Sequence, residues 1–198
     1  GISMIDDKDL SESTLRFIVW EALKNYSTDE LLTLVEDEDP IVRTSVAKQL
    51  HFRPDKKVFE KSIDLVSSIK DYEREIGAFL LGQLGTPNHP YKMQSFPYLV
   101  RLMSDTSSEV RASAVAAIGH LGSSNPIDDN NLLNCVIQLA EDKCSDVRFC
   151  CAFALASFNS DDARKVLNSL IADRCKIVRD WAKTSLEIIH ERQARSAD

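Results

Sequence analysis

Residues 105–122 read DTSSEVRASAVAAIGHLG, and this stretch decides the fold. It begins with an aspartate, reaches Val110-Arg111 after four intervening residues, and then places small or apolar residues at positions 114, 115, 118 and 121 before a final glycine. Apolar residues at this spacing predict a short helix that buries one face. The polar start predicts a turn before it. The expected unit is a turn followed by a tightly packed helix.

Arginine residues mark the same frame five times along the chain. They are Arg43, Arg74, Arg111, Arg148 and Arg179, at intervals of 31, 37, 37 and 31 residues. A recurrence at this spacing is typical of stacked structural repeats. Positions −1, +3, +7 and +10 from the arginine are mostly apolar and share one face of an α-helix. The exceptions are Glu73 at −1 in the second copy and Arg53 at +10 in the first.

An acidic residue precedes the arginine by six positions in four of the five copies. These residues are Asp37, Asp105, Asp142 and Asp173, while the second copy has Ser68. The spacing places the carboxylate in the turn between two helices and the guanidinium in the first turn of the second helix. An aspartate there accepts N–H bonds at the start of the helix and can pair with an arginine of its own or a neighbouring repeat. We therefore expect a structural ladder, not the acid and base of an active site.

The five copies resemble HEAT-like repeats, in particular short bacterial repeats of the phycobilisome-lyase-like type, whose second helix reads roughly V-R-x-x-A-A-x-A-L-G. The matching segments are VRTSVAKQL (42–50), VRASAVAAIG (110–119), VRFCCAFAL (147–155) and VRDWAKTSL (178–186), with EREIGAFLLGQLG (73–85) as a degenerate copy. The resemblance covers about residues 28–190. It implies an all-α fold, a right-handed α-solenoid or α–α superhelix of stacked helical hairpins. It implies little about function, because such repeats share the residues that let them stack.

We expect one HEAT-like repeat domain over residues 1–198. Helix-start signals and apolar runs divide it into about five hairpins, at approximately residues 27–53, 54–85, 95–122, 128–158 and 160–190. The third is expected to open at Ser95-Phe96-Pro97, because proline is accepted in a first helical turn. Residues 9–26 have helical apolar spacing but lack the Asp–Val–Arg pattern, so they are expected to form an N-terminal capping helix.

The composition bears on membrane contact, cellular location, metal binding and catalysis. No run of about 18 apolar residues is present, so no membrane contact is expected. The five cysteines are an odd number without a C-x-x-C motif, which favours a reducing, cytoplasmic location and free thiols at Cys144 and Cys175. Four histidines without ligand spacing give no metal site. We expect no catalytic residue and no cofactor, and a monomer.

Acidic residues are concentrated at the N-terminal end of the chain. Residues 1–40 contain eleven acidic and three basic residues, a net charge of −8, whereas the whole chain carries −7. The plain interpretation is a solvated face. The functional interpretation is attraction of basic partners and repulsion of nucleic acid.

Recognition is expected on the concave face, which second helices line in HEAT-like stacks. Positions +1, +2, +5 and +9 from the arginine point away from the apolar stripe, so their side chains should face that wall. Phe79 should flank a shallow floor of Ala112 and Ala116, with Phe149 and Phe153 opposite. The expected partner-binding residues are Glu75, Phe79, Gln83, Ala112, Ala116, His120, Phe149, Phe153, Asp180 and Trp181.

Exposed aromatic residues on a concave face are typical of interface anchors. The leading hypothesis is therefore a non-enzymatic scaffold that binds a peptide or helix of a partner protein. The alternative for the phenylalanines is packing between adjacent second helices. Two other functions stay open. A bilin lyase-like or chaperone-like role is implied by the family resemblance alone, and nucleic-acid binding is disfavoured by the mixed charges of Lys48, Glu75 and Asp180.

Overall fold

A computed structural model describes residues 11–198, so residues 9 and 10 of the predicted capping segment lie outside the described part. Residues 11–198 form eleven α-helices, a short 3-10 helix at Leu139–Glu141 and no β-strand. The first helix is α1 (Glu12–Leu23), and the next ten form five pairs: α2 (Thr28–Leu34) with α3 (Pro40–Leu50), α4 (Lys56–Val66) with α5 (Asp71–Gln83), α6 (Lys92–Leu102) with α7 (Ser108–Leu121), α8 (Asn130–Gln138) with α9 (Ser145–Leu155), and α10 (Asp161–Leu170) with α11 (Lys176–Ser196).

The pairs stack in chain order and form two layers. Second helices α3, α5, α7, α9 and α11 pack along one layer, whereas first helices of neighbouring pairs touch at few points. In a curved stack, the layer whose helices pack more closely lies on the inner side, which here is the layer of second helices. The predicted α-solenoid of five hairpins with an N-terminal capping helix is confirmed.

Buried apolar residues between the two layers form two adjoining core clusters, one toward the N-terminal end and one toward the C-terminal end, and Phe59 packs against both. Val110, Ala114 and Ile118 of α7, at positions −1, +3 and +7 from Arg111, are completely buried. Leu155, at +7 in the next repeat, is equally buried. The helical spacing in the sequence therefore identifies the residues that the first helix of each pair covers.

Side-chain caps open several helices where the sequence predicts them. Ser27 and Glu30 form a capping box at α2, and Asp129 accepts the Leu132 N–H at α8. The start predicted at Ser95 is wrong, because α6 begins at Lys92 and contains Pro97 in its interior. Pro97 is exposed, so water can hydrate the carbonyl that lacks a helical donor.

The capping helix α1 lies in the layer of second helices. Gln49 Nε2 of α3 donates to the Trp20 carbonyl of α1 at 3.3 Å. Ser185 Oγ of α11 donates in the same way to the Ala152 carbonyl of α9 at 2.7 Å. Gln49 and Ser185 both stand six positions after their arginine, and Ala152 stands four after Arg148. By this equivalence α1 has the repeat frame, with Leu15 at −1, Arg16 at 0, Val19 at +3 and Leu23 at +7.

Charged residues interrupt the longest helix, α11, whose 21 residues would otherwise be long enough to reach across a bilayer. No helix within residues 11–198 is both long and apolar enough to span a membrane.

Candidate functional site

The recurring spacing of aspartate and arginine builds a ladder that joins the second, third, fourth and fifth repeats. Arg111 Nε donates to Asp142 Oδ2 at 2.9 Å and its Nη2 donates to Oδ1 at 3.1 Å. Its Nη1 donates to the Asp105 carbonyl of its own turn at 2.9 Å. Equivalent rungs are Arg74–Asp105 and Arg148–Asp173. The expected ladder is present in three rungs, in which Arg74, Arg111 and Arg148 pair with the aspartate of the following repeat.

Each rung aspartate also caps the turn that it occupies. Asp142 Oδ1 accepts the Cys144 N–H at 2.9 Å, and Asp173 Oδ1 accepts the Cys175 N–H at 2.8 Å. Burial acts to raise the pKa of Asp142, but the bonds from Arg111 and from the backbone outweigh it and hold the pKa below its ordinary value. These carboxylates are ionised structural groups with their acceptor positions filled.

The ladder is interrupted between the first and second repeats, where Ser68 replaces the aspartate. Arg43 has no carboxylate there and lies over the Tyr72 ring, 4.4 Å from its centroid. Its Nη1 still donates to backbone carbonyls of its own turn, as in the other copies. Ser68 Oγ donates to Glu73, the residue that replaces valine at −1 in this copy. The two sequence departures of the second copy therefore contact each other.

The expected wall residues come from successive second helices, and most are half-buried. Asp180 is exposed and pairs with Lys176 in its own helix. The half-buried members are Glu75, Phe79, Gln83, Ala112, Ala116, His120, Phe149, Phe153 and Trp181. Five of them line a row of depressions and not one enclosed pocket: Glu75, Phe79, Ala112, Ala116 and His120. Phe153 lines a separate depression, and Gln83, Phe149 and Trp181 line none of these four.

Aromatic rings form contacts from one second helix to the next. Phe153 lies 5.4 Å from Trp181 and 5.1 Å from His120, measured between ring centroids. Phe149 lies 5.7 Å from Trp181, in an edge-to-face arrangement. Phe149 and Trp181 also pack against the buried core. The rings therefore combine packing between repeats with partly accessible surface, where the sequence left these two roles as alternatives.

Phe79 lies apart from the Phe149 and Phe153 pair. It shares a shallow depression of about 70 Å³ with Ala116 and His120. Ala112 lies in a different depression, of about 200 Å³, beside Glu75. The predicted floor of Ala112 and Ala116 below Phe79 is thus divided between two depressions on the same wall.

A depression of about 370 Å³ extends across four second-layer helices, α1, α3, α5 and α7. The sequence analysis omitted several of its lining residues. Thr44 and Ser113 stand at +1 and +2, positions predicted to face the wall, so the frame contained the signal for both. Arg16 was missed because α1 was placed outside the frame. The full lining is Arg16, Thr44, Ala47, Lys48, Glu75, Ile76, Phe79 and Ser113.

Glu75 is the acidic residue of this depression. Its carboxylate has no hydrogen bond or ion pair with any side chain of residues 11–198. Burial raises the pKa of Glu75, while the charge of Arg43 acts in the opposite direction. Lys48 lines the same depression and is exposed. The site therefore combines an apolar centre with separate charges of both signs.

The cysteines have the character of packing residues. Burial raises the pKa of the Cys150 thiol to about 11 and that of Cys151 still further, so both stay protonated at neutral pH. Cys144 and Cys175 are free, as predicted. Within residues 11–198, no group of three His, Cys, Asp or Glu side chains is placed to hold a metal ion.

Comparisons with known proteins agree with this architecture. The HEAT repeat family model matches residues 96–124 and 132–161, the third and fourth hairpins. Protein YibA of Escherichia coli (strain K12) is 29% identical over 171 residues, which are 86% of this chain and 61% of YibA. The X-ray structure of E. coli YibA superposes with a TM-score of 0.76 and 27% identity, covering 90% of this chain and 63% of that chain.

A designed armadillo repeat protein in complex with the peptide (KR)4 shares the fold, with a TM-score of 0.58 and 14% identity over 94% of this chain and 95% of that chain. This chain spans less than two thirds of the length of YibA. The arginine frame, the two-layer stack and these matches together make the chain a HEAT-like repeat protein.

Proposed function

We propose that this chain is a non-enzymatic interaction protein that binds an extended segment or a helix of a partner protein along its wall of second helices. The observation that carries the proposal is a row of partly accessible aromatic rings that contact one another between repeats, with Phe79 in a depression beside its first member. The row consists of His120, Phe153, Trp181 and Phe149. Rigid aromatic side chains at the centre of a surface are frequent energetic anchors of interfaces. Their fixed rings lose little conformational entropy when a partner binds.

The charges of the wall support a protein partner over nucleic acid. Glu75, Glu109 and Asp146 line one depression, and acidic groups at that position repel phosphates. Lys48 and Arg16 are the basic residues of the adjoining depression, and Arg16 already pairs with Glu12. Phosphate binding needs a continuous basic surface, and the lining alternates in sign.

The protonation states of the aspartates and cysteines support a binding function over catalysis. The free cysteines support a reducing compartment such as the cytoplasm. The rung aspartates are ionised and already accept hydrogen bonds from arginine and from the backbone. Raised pKa values keep Cys150 and Cys151 as neutral thiols, which are poor nucleophiles. All five cysteines are free, a state that a reducing compartment preserves. The proposal describes a monomer, since one chain supplies the whole wall.

The armadillo neighbour offers support from architecture alone. That designed protein is in complex with the peptide (KR)4, so a stack of this general shape can bind a peptide. The residues that contact a peptide must come from this chain's own wall, because 14% identity carries only the fold.

The test uses a displayed library of unstructured peptides of about 12 residues, a length that spans several repeats. Binders selected on the unaltered protein are measured against Phe79→Ala, Phe153→Ala and the control Ile69→Ala, whose side chain is 95% exposed and lies away from the wall frame. We expect each phenylalanine variant to weaken binding by about 2 kcal/mol, and Ile69→Ala to leave it unchanged.

The thermal stability of each variant separates binding from packing. Half-buried Phe153 is expected to contribute about 1–2 kcal/mol to folding, less than the ~3–5 kcal/mol of a core phenylalanine. Loss of peptide binding by a variant that keeps its helical content and most of its stability supports the proposal. Peptides that bind both phenylalanine variants as tightly as the unaltered protein would refute it.

A further inference from the structure

The depression of about 370 Å³ on the wall combines apolar lining residues with charges of both signs, and we call it the mixed-charge depression. Ala47 of α3 and Ile76 of α5 are buried beneath it, and half-buried Phe79 lines it as well. These two helices also contribute Lys48 and Glu75 to the lining. Helices α3 and α5 each pack against a second helix on both sides, so these residues belong to complete repeats.

Two polar residues of the depression already have partners within the protein. Arg16 pairs with Glu12 and donates from Nη1 to Thr44 Oγ1 at 2.7 Å. The Thr44 hydroxyl in turn donates to the Pro40 carbonyl at 2.6 Å. Arg16 and Thr44 therefore hold each other in place at one side of the depression.

The other two charged residues, Lys48 and Glu75, have no such partner. No ion pair within residues 11–198 includes either of them. The charge of Arg43 acts on Glu75, but the Arg43 guanidinium lies over the Tyr72 ring and donates to carbonyls of its own turn. Lys48 is exposed and Glu75 is half-buried, so both can be reached from solvent.

A segment that occupies the depression must match both its apolar surface and these two charges. Ala47, Ile76 and Phe79 favour an apolar side chain, because contact with it removes apolar surface from water. The same contact takes water away from Glu75, and a carboxylate that loses water without gaining a partner is destabilised. The segment must therefore offer a cation to Glu75. A carboxylate near Lys48 adds a weaker attraction, because Lys48 is exposed.

The repeat frame sets the spacing between the two charges. Lys48 stands at +5 in α3 and Glu75 at +1 in α5, on neighbouring helices whose axes lie about 8–10 Å apart. Four residues along a helix add about 6 Å, which places the two positions roughly 10–12 Å apart. In an extended segment, side chains on one face recur about every 7 Å. Three successive side chains on that face therefore reach from Lys48 to Glu75.

We propose that the mixed-charge depression binds a partner segment with the pattern acid-x-apolar-x-base, in which the acid lies at Lys48, the apolar side chain lies on Ile76 and Phe79, and the base lies at Glu75. This inference rests on the proposed function and names the chemistry of the segment that the wall binds. Opposite charges at the two ends fix the register of the segment and the direction of its chain.

Four synthetic peptides of about nine residues, which extend over about 30 Å, test the pattern. All have a central leucine in a glycine and serine background, with charged residues two positions before and two positions after it. These are aspartate then lysine, lysine then aspartate, two lysines, or two aspartates. Fluorescence anisotropy measures binding at about 0.15 M salt, where attraction by the distant net charge is screened.

The peptides are titrated against the full chain and four charge variants. These are Lys48→Glu, Glu75→Gln, the exchange Lys48→Glu/Glu75→Lys and the control Lys165→Glu, which changes an exposed lysine of the first helix α10. Glu75→Gln keeps the size of the side chain and serves if the exchange variant fails to fold, which circular dichroism checks.

On the full chain we expect one of the two mixed peptides to bind most tightly. Its affinity should exceed that of the two-aspartate peptide by about tenfold, because the latter places a like charge at half-buried Glu75. The advantage over the two-lysine peptide should be about threefold, because Lys48 is exposed. The exchange variant should prefer the other mixed peptide, Glu75→Gln should lose the tenfold difference, Lys48→Glu should favour the two-lysine peptide, and Lys165→Glu should change nothing.

Equal affinities of the four peptides, an unaltered preference in the exchange variant, or no binding of any peptide at about 1 mM would each overturn the proposal. So would binding that appears only after removal of residues 1–10, which would assign the depression to the protein's own N-terminal segment, or a dimer that Lys48→Glu dissociates. The variant Phe79→Ala separates the two proposals. If it weakens the library-selected peptides while the four charged peptides bind equally, the wall still binds a partner and only the charge pattern is wrong.

Discussion

Removal of one ladder carboxylate should cost far more stability than removal of a turn aspartate that has no arginine partner. Asp142→Ala deletes two charge-assisted hydrogen bonds from Arg111 and the cap on the Cys144 N–H. The side chains of Arg111 and Asp142 are only 11% and 10% exposed. The variant therefore leaves a guanidinium poorly hydrated and without its counterion.

The magnitude follows from the loss of one member of a largely buried pair. Such a loss costs about 3–5 kcal/mol, and we expect the lower end, about 3 kcal/mol, because Arg111 Nη1 keeps its carbonyl acceptors at Asp105 and Thr106. Asp37→Ala is the matched control. Asp37 accepts the equivalent Asp39 N–H at 2.8 Å but has no rung arginine, so its loss should cost about 1 kcal/mol.

Urea unfolding followed by circular dichroism measures both variants. A difference of about 2 kcal/mol corresponds to about 4–8 °C in Tm for a chain of this size. In the double variant Arg111→Met/Asp142→Ala, the loss should be smaller than the sum of the single losses, because the two side chains interact directly. If Asp142→Ala costs no more than Asp37→Ala, the rungs contribute nothing beyond the turn cap and the argument fails.

Three further predictions concern the second repeat, helix contacts and pH. Ser68→Asp alone should not stabilise the protein, because the new carboxylate meets Glu73. Ser68→Asp/Glu73→Val should form the missing rung with Arg43 and raise the free energy of unfolding by about 1 kcal/mol in urea titrations. Gly82→Ala should cost about 1–3 kcal/mol, because its Cβ would lie 2.6 Å from the Ala117 backbone. Gly119→Ala would contact a side chain, the Phe153 ring, instead of backbone, and should cost less in the same assay. Unfolding measured against pH should show two losses on acidification. Burial is the largest cause that lowers the pKa of His51, His89 and His120 below 6.5 in the folded chain. The unfolded chain therefore binds these protons at a higher pH than the folded chain does. Stability falls as pH drops below about 6.5. The rung carboxylates have pKa values below 3.8, so the stability they provide above that value is lost as pH falls below it; a flat profile from pH 7 to 5 would contradict the histidine assignment.

Helix order and the ladder were predictable because both depend on residues at fixed spacing within one repeat. Asp105 and Arg111 are six residues apart in a turn and helix of defined geometry, so their positions follow from local structure. The partner of Arg111 is 31 residues further along the chain. That pairing follows from the period, since each repeat is stacked on the next in the same way.

The assignment of α1 was not predictable by the same means. Its frame has Arg16 without a recognisable turn aspartate before it in the described residues, and only the hydrogen bond from Gln49 to Trp20 aligns it with the other second helices. The start of α6 was missed for a related reason. Pro97 is a helix-start signal in isolation, but the residues before it are also helical: Ser95 is buried, and its Oγ donates to the Tyr91 carbonyl.

The sequence by itself determined a stack of helical hairpins, the buried stripe of each second helix and the aspartate and arginine that join neighbouring repeats, because all of these repeat with the period of the backbone. Only the tertiary structure decided how far Phe79, Phe149, Phe153 and Trp181 are exposed, and that α1 lies in the layer of second helices. Exposure depends on the distance between neighbouring helices, which the combined volumes of side chains on both helices set and which no single segment contains.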